Sequence, residues 1–138
     1  MRLAALAALF VIAACAGGAT SPPQSTNIAG NWALSVNLTS CVESGTIALE
    51  QSGANFSGSE TGTESCTGGF TANVDGTITG GVVAGASVSF VGALPLDNAG
   101  CVYQGTASGS RVTLMSGSVT CFDSSANATA TGAWKASR

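Results

Sequence analysis

From Trp32 onward the chain alternates: Trp32, Leu34, Val36 and Leu38 are interleaved with Ala33, Ser35, Asn37 and Thr39. A period of two sends successive side chains to opposite faces, so this run reads as a β-strand with one buried face. No later stretch has the 3.6-residue apolar period of an amphipathic helix. Turn residues instead cut the chain into short segments of the same kind: 45–51 with Ile47 and Leu49, 54–61 around Phe56, 72–80 with Val74 and Ile78, and 86–94 with Val88 and Phe90. Segments 102–107, 111–119 with Val112 and Leu114, and 128–136 with Trp134 complete eight strands. Short, evenly spaced strands with Gly-rich turns predict an all-β, eight-stranded antiparallel up-and-down barrel, with a β-sandwich as the alternative. The expected inward set also takes in Gly58, Gly76, Gly92 and Gly132 on matching phases. Large groups beside glycines can interlock into a solid core or leave a pocket, and a barrel of eight strands allows either.

A repeat supports the even count. Cys41-Val42-Glu43-Ser44-Gly45-Thr46 is echoed by Cys101-Val102-Tyr103-Gln104-Gly105-Thr106, and each copy leads through a Ser-Gly-Ser to a second cysteine. The pattern is that of two four-strand halves; Ser/Gly-rich composition is the other source of such a match. The same spacing assigns two disulfides. Cys41 and Cys66 stand almost equidistant from a turn at Ser52-Gly53-Ala54. Cys101 and Cys121 flank a turn near Ser108-Gly109-Ser110 less evenly, and match it if a bulge or wider loop takes up the difference. Antiparallel partners in a hairpin satisfy this condition, so Cys41 is expected to join Cys66 and Cys101 to join Cys121. There is no His and no Cys-x-x-Cys spacing, and a metal site is not expected.

The fifth cysteine, Cys15, ends an apolar run of eleven residues, 3–13, that follows Arg2. The run is too short to cross a bilayer, which takes roughly 20 apolar residues, and reads as a processing segment. The order Ile12-Ala13-Ala14-Cys15 resembles the lipobox of bacterial lipoproteins. That resemblance implies cleavage before Cys15, alkylation of its thiol by a diacylglyceryl group, acyl chains of palmitate type, and membrane anchoring through lipid. Ala16 is not the acidic residue that tends to hold lipoproteins at the inner membrane, which favours the outer membrane. Residues 1–14 are thus expected to be a signal peptide, 15–29 a lipidated flexible tether containing Pro22-Pro23, and 30–138 the barrel domain.

Gly30-Asn31-Trp32 opens the first strand as Gly-x-Trp does in lipocalins and in avidin-like barrels, which the chain resembles in this tripeptide, in its terminal basic residue and in strand count. The resemblance implies that Trp32 closes one end of the barrel, with Arg138, or else Lys135, stacked over it. It brings the first and last strands together, with Trp134 beside the closure. The lipocalin C-terminal helix is missing.

After Cys15 the chain carries three basic and seven acidic side chains, a formal charge of −4, with no basic cluster. Nucleic acid is therefore a poor partner. Without His there is no ordinary general base, and no Gly-x-Ser-x-Gly elbow occurs. Glu43, Glu50, Glu60 and Glu64 could form a carboxylate pair of glycosidase type, but are expected on the solvated surface. The sequence thus predicts a lipid-anchored cell-envelope binding or interaction module without catalytic activity or cofactor. It would act through barrel-end loops on an unidentified envelope protein. The alternative is a lipocalin-like carrier of a small apolar ligand inside the barrel.

Overall fold

The structure, a computed structural model, describes residues 26–94, 99–109 and 111–138. Eight antiparallel strands run in chain order around one closed barrel: β1 (Gly30–Leu38), β2 (Cys41–Ser52), β3 (Asn55–Cys66), β4 (Thr71–Ala84), β5 (Ser87–Leu94), β6 (Ala99–Ser108), β7 (Leu114–Phe122) and β8 (Ala128–Ser137). Pairing of β1 with β8, from Ala33 opposite Ser137 to Leu38 opposite Gly132, removes both sheet edges. The signal peptide, Cys15 and most of the tether lie outside the described residues.

Alternation sorts the side chains. Trp32, Leu34, Val36, Ile47, Leu49, Phe56, Ile78, Val88, Phe90 and Trp134 point inward and are buried, whereas their neighbours along each strand face solvent. In β4 the pairing slips between Thr79 and Val82, so Ile78 and Val83 both face inward although they are an odd five positions apart. A bulge does this by inserting one extra residue. Glycine kinks let the strands curve. Gly45 faces Gly62 across β2 and β3, and Gly105 faces Gly117 across β6 and β7. At each of these four positions a Cβ would run into the backbone of the opposite strand.

These glycine pairs lie at matching points of the two repeats. Cys41 opposite Cys66, Glu43 opposite Glu64 and Gly45 opposite Gly62 correspond to Cys101 opposite Cys121, Tyr103 opposite Val119 and Gly105 opposite Gly117. Both cysteine pairs are disulfide-bonded, with Cα atoms 3.9 Å apart in each. The β2–β3 turn is the two residues Gly53-Ala54, whereas β6 and β7 are separated by residues 109–113, the wider loop that the second cysteine pair requires.

The sequence misplaces β7. Its strand starts at Leu114 rather than at 111, and Met115 and Val119 point inward while Leu114 is half-buried. Val112, whose hydrophobicity suggested the earlier start, is buried in the loop that folds over the barrel end. Leu38, also expected inside, is partly buried near the opposite end.

Candidate functional site

The up-and-down path places the start of β1, the end of β8 and the β2–β3, β4–β5 and β6–β7 connections at one end of the barrel. That end is closed. Gly30, at φ +119°, turns the chain so that residues 26–29 cross the opening. Gln51 holds the crossing segment, accepting from Ile28 N at 2.7 Å and donating to Thr26 O at 2.9 Å. Ile28 is fully buried, and its carbonyl accepts the Trp32 indole N–H at 2.9 Å. Arg138 lies 4.2 Å above the Trp32 ring and donates to Ala29 O at 2.6 Å and Val112 O at 3.0 Å. Trp32 and Arg138 thus meet as the lipocalin resemblance implies; Lys135 is exposed on β8. Trp134 does not join them. It sits deeper in the barrel, edge-on to Phe90 and Tyr103, whose rings stack at 4.5 Å; Phe56 completes this aromatic layer.

Beyond that layer the barrel is hollow. A cavity of ≈ 280 Å³ occupies the end where both disulfides lie, and every strand contributes to its wall. Val36, Leu38, Val74, Phe122 and Ala130 make most of the lining apolar, and small residues (Gly92, Ala99, Gly100) leave the space open. Gly92 is decisive, because a Cβ there would stand 3.0 Å from Glu60 Oε2 and 3.1 Å from the Tyr103 ring.

Three polar groups reach into this apolar space: Glu43 from β2, Glu60 from β3 and Tyr103 from β6. Glu43 is 7% exposed and Glu60 4%. Tyr103 donates a long hydrogen bond of 3.4 Å to Glu60 Oε1, while Glu43 Oε1 has no partner. Burial pushes the Glu43 carboxyl up to about 8, helped by the negative charge of Glu60, a hydrogen bond shared with it, and the charge of Glu64. Burial also raises Glu60, against the opposing effect of its hydrogen bonds with Glu43 and Tyr103. Burial, then the two carboxylates, push the Tyr103 phenol far up, so it stays a protonated donor. Two carboxyls this close resist joint ionisation. The pair therefore keeps a proton that lone surface carboxyls would lose, and among the described residues no lysine or arginine lines the cavity.

The expectation of solvated glutamates therefore fails for Glu43 and Glu60. Glu43 precedes the segment 45–51 expected as the second strand, but β2 begins at Cys41 and the phase Cys41-Glu43-Gly45-Ile47-Leu49 carries it inside. Glu60 stands four residues after Phe56 on the same strand, and hence on the same face. Both phases are visible in the sequence; the assumption that carboxylates face water hides them. Tyr103 was legible in the same way, through its alignment with Glu43 in the repeat. Glu64 is half-buried at the mouth, and Glu50 is exposed. Cys41, Cys66 and Glu64 bring possible metal donors within 4.8 Å of one another, but both sulfurs are in a disulfide and cannot ligate as thiolates.

No family model and no curated protein matches the chain. Among solved structures, the fold is similar to a redesigned β-barrel, mFAP1, bound to DFHBI, at 16% identity and TM-score 0.57 over 80% of this chain and 94% of that one. It is likewise similar to EF1p2_mFAP2b bound to DFHBI, at 16% identity and TM-score 0.56 over 80% and 92%, and to the redesigned barrel mFAP0, also bound to DFHBI, at 15% identity and TM-score 0.53 over 80% and 97%. At such identities the likeness establishes the closed β-barrel fold and nothing finer.

Proposed function

We propose that this protein is a non-catalytic, lipid-anchored envelope protein whose barrel binds a small, mainly apolar molecule in its hollow end. The observation that carries the reading is the cavity itself: ≈ 280 Å³, mostly apolar, with a few convergent polar groups, just under the usual size range of ligand pockets and so suited to a small ligand. The similar redesigned barrels, each bound to a small molecule, support the carrier over a module that works only through its loops. Exposed apolar residues near the mouth, Phe70 at 60% and Val42 on β2, favour the second reading, docking of an envelope protein on the same end. The anchor rests on Ile12-Ala13-Ala14-Cys15 alone. Exchange of Cys15 for Ser is expected to abolish palmitate labelling and release the protein from outer-membrane fractions; unchanged fractionation would refute the anchor.

The test of binding is native mass spectrometry of the mature chain from residue 16, exported behind a general secretory signal and containing the whole closed barrel. An added mass that denaturation releases is the expected result. A bare native mass, unchanged after incubation with extracts of small envelope molecules, would transfer the function to the loops.

A further inference from the structure

We infer that the ligand of the hollow end is an organic cation, a small apolar body bearing an ammonium group, and that Glu43 and Glu60 are the residues that recognise it. The inference rests on the carrier reading above and adds the chemical class. Its ground is a buried, unsatisfied acceptor. Glu43 Oε1 is buried at the cavity wall with no hydrogen-bond partner. A buried polar atom without a partner is costly, and a native structure that keeps one leaves a role to be found for it. Glu60, next to it, has the long bond from Tyr103 and the hydrogen bond that it shares with Glu43. The site therefore offers acceptors in excess of donors and, among the described residues, two carboxyls with no basic side chain in the wall to balance their ionisation. A neutral apolar ligand would leave both deficits in place and bury them more deeply. An ammonium group supplies N–H donors and the missing positive charge, while Val36, Val74 and the Tyr103 ring receive the apolar body. A bare divalent ion fits less well, because calcium takes six to eight oxygens and this wall is mainly apolar.

Proton linkage follows from the same geometry. The titratable groups around Glu43 are Glu60 and Glu64 on β3 and Tyr103 on β6; Asp97 lies outside the described residues. With Glu43 raised to about 8, the empty pair keeps one proton at neutral pH. A bound cation favours the ionised form, so binding releases protons and tightens as pH rises from 6 to 9.

The experiment is isothermal titration calorimetry on the same mature chain. The probes are alkyl- and arylammonium ions of six to ten carbons, each matched with the alcohol of the same skeleton, and calcium alone. The ammonium ions are expected to bind at least tenfold more tightly than their alcohols, with affinity rising between pH 6 and 9. In Glu43→Gln and, separately, in Glu60→Gln, that preference should fall to about threefold or less while the alcohols bind as well or better, which also shows that the cavity is intact. Equal binding of ammonium and alcohol by the wild type would overturn the cation inference and leave the carrier standing. Tight calcium binding lost in both variants would replace the organic cation by a metal. Absence of binding by every probe at millimolar concentration would count against both the inference and the carrier.

Discussion

The two ends of the barrel are built from the same eight strands and are finished by opposite means. At one end, large side chains and a chain terminus fill the opening: Ile28 and Trp32 are buried to within 1%, Arg138 caps them, and Gln51 ties the crossing segment down. At the other, small residues and two buried carboxyls surround a cavity, and disulfides join β2 to its neighbour β3 and β6 to its neighbour β7 at the mouth. Packing that a hollow end forgoes must be offset elsewhere, because voids and unpaired polar groups each cost stability. Disulfides do this without occupying the interior, since they act mainly on the unfolded chain. Stability is thus concentrated at the closed end and in the cross-links, and the open end is free to carry chemistry.

The largest effect should come from breaking the plug. Trp32→Ala is expected to cost about 3–5 kcal/mol, whereas Val74→Ala, at the cavity wall, should cost less than half of that; urea denaturation of the oxidised proteins would separate them. Comparable losses would mean that the two ends are equally packed. Next, removing either cross-link, as Cys41→Ala with Cys66→Ala or Cys101→Ala with Cys121→Ala, should cost roughly 2–4 kcal/mol. Because each disulfide lies at the mouth, hydrogen exchange should rise at that end first and spare the residues around Trp32.

A third prediction concerns pH. The Glu43 carboxyl is raised from an ordinary value of 4.5 to about 8, so between those limits the folded protein holds a proton that the unfolded chain has lost. The stability from keeping that pair protonated is present in full below 4.5 and is lost as pH rises through 8. Unfolding free energy should fall by about 2–3 kcal/mol between pH 5 and 9, and Glu43→Gln should flatten the curve. A wild-type profile as flat as that of the variant would place Glu43 in water. The smallest effect is expected at the cap, where Arg138→Met removes the stacking and two hydrogen bonds for about 1–2 kcal/mol, read as a lower melting temperature with ligand affinity unchanged.

Much of this architecture is written in the period of two. The alternation around Trp32, the turn residues and the symmetric cysteines lead to eight strands, a closed barrel and both disulfide pairings, because register and turn position follow from local rules. Two kinds of information escape such reading. Val112 shows the first: an apolar residue buried by a loop looks like one buried by a strand, and β7 shifts accordingly. The β4 bulge is similar, since Gly80-Gly81 does not announce the change of phase that follows. Glu43 and Glu60 show the second. Strand phase and side-chain chemistry give opposite answers for them, and the usual preference of carboxylates for water wins on paper. In the folded chain phase wins, since one strand cannot turn a single residue outward without a bulge. Where the two signals conflict is where the candidate site lies.

The contrast between a filled and a hollow end is tested most directly by a crystal structure of the mature chain under xenon pressure, since xenon enters apolar cavities of this size. The account predicts xenon between Val36, Val74 and Tyr103, above the aromatic layer, and none between Ile28 and Trp32. Xenon beside Trp32, or a disulfide end packed solid with no site, would contradict it.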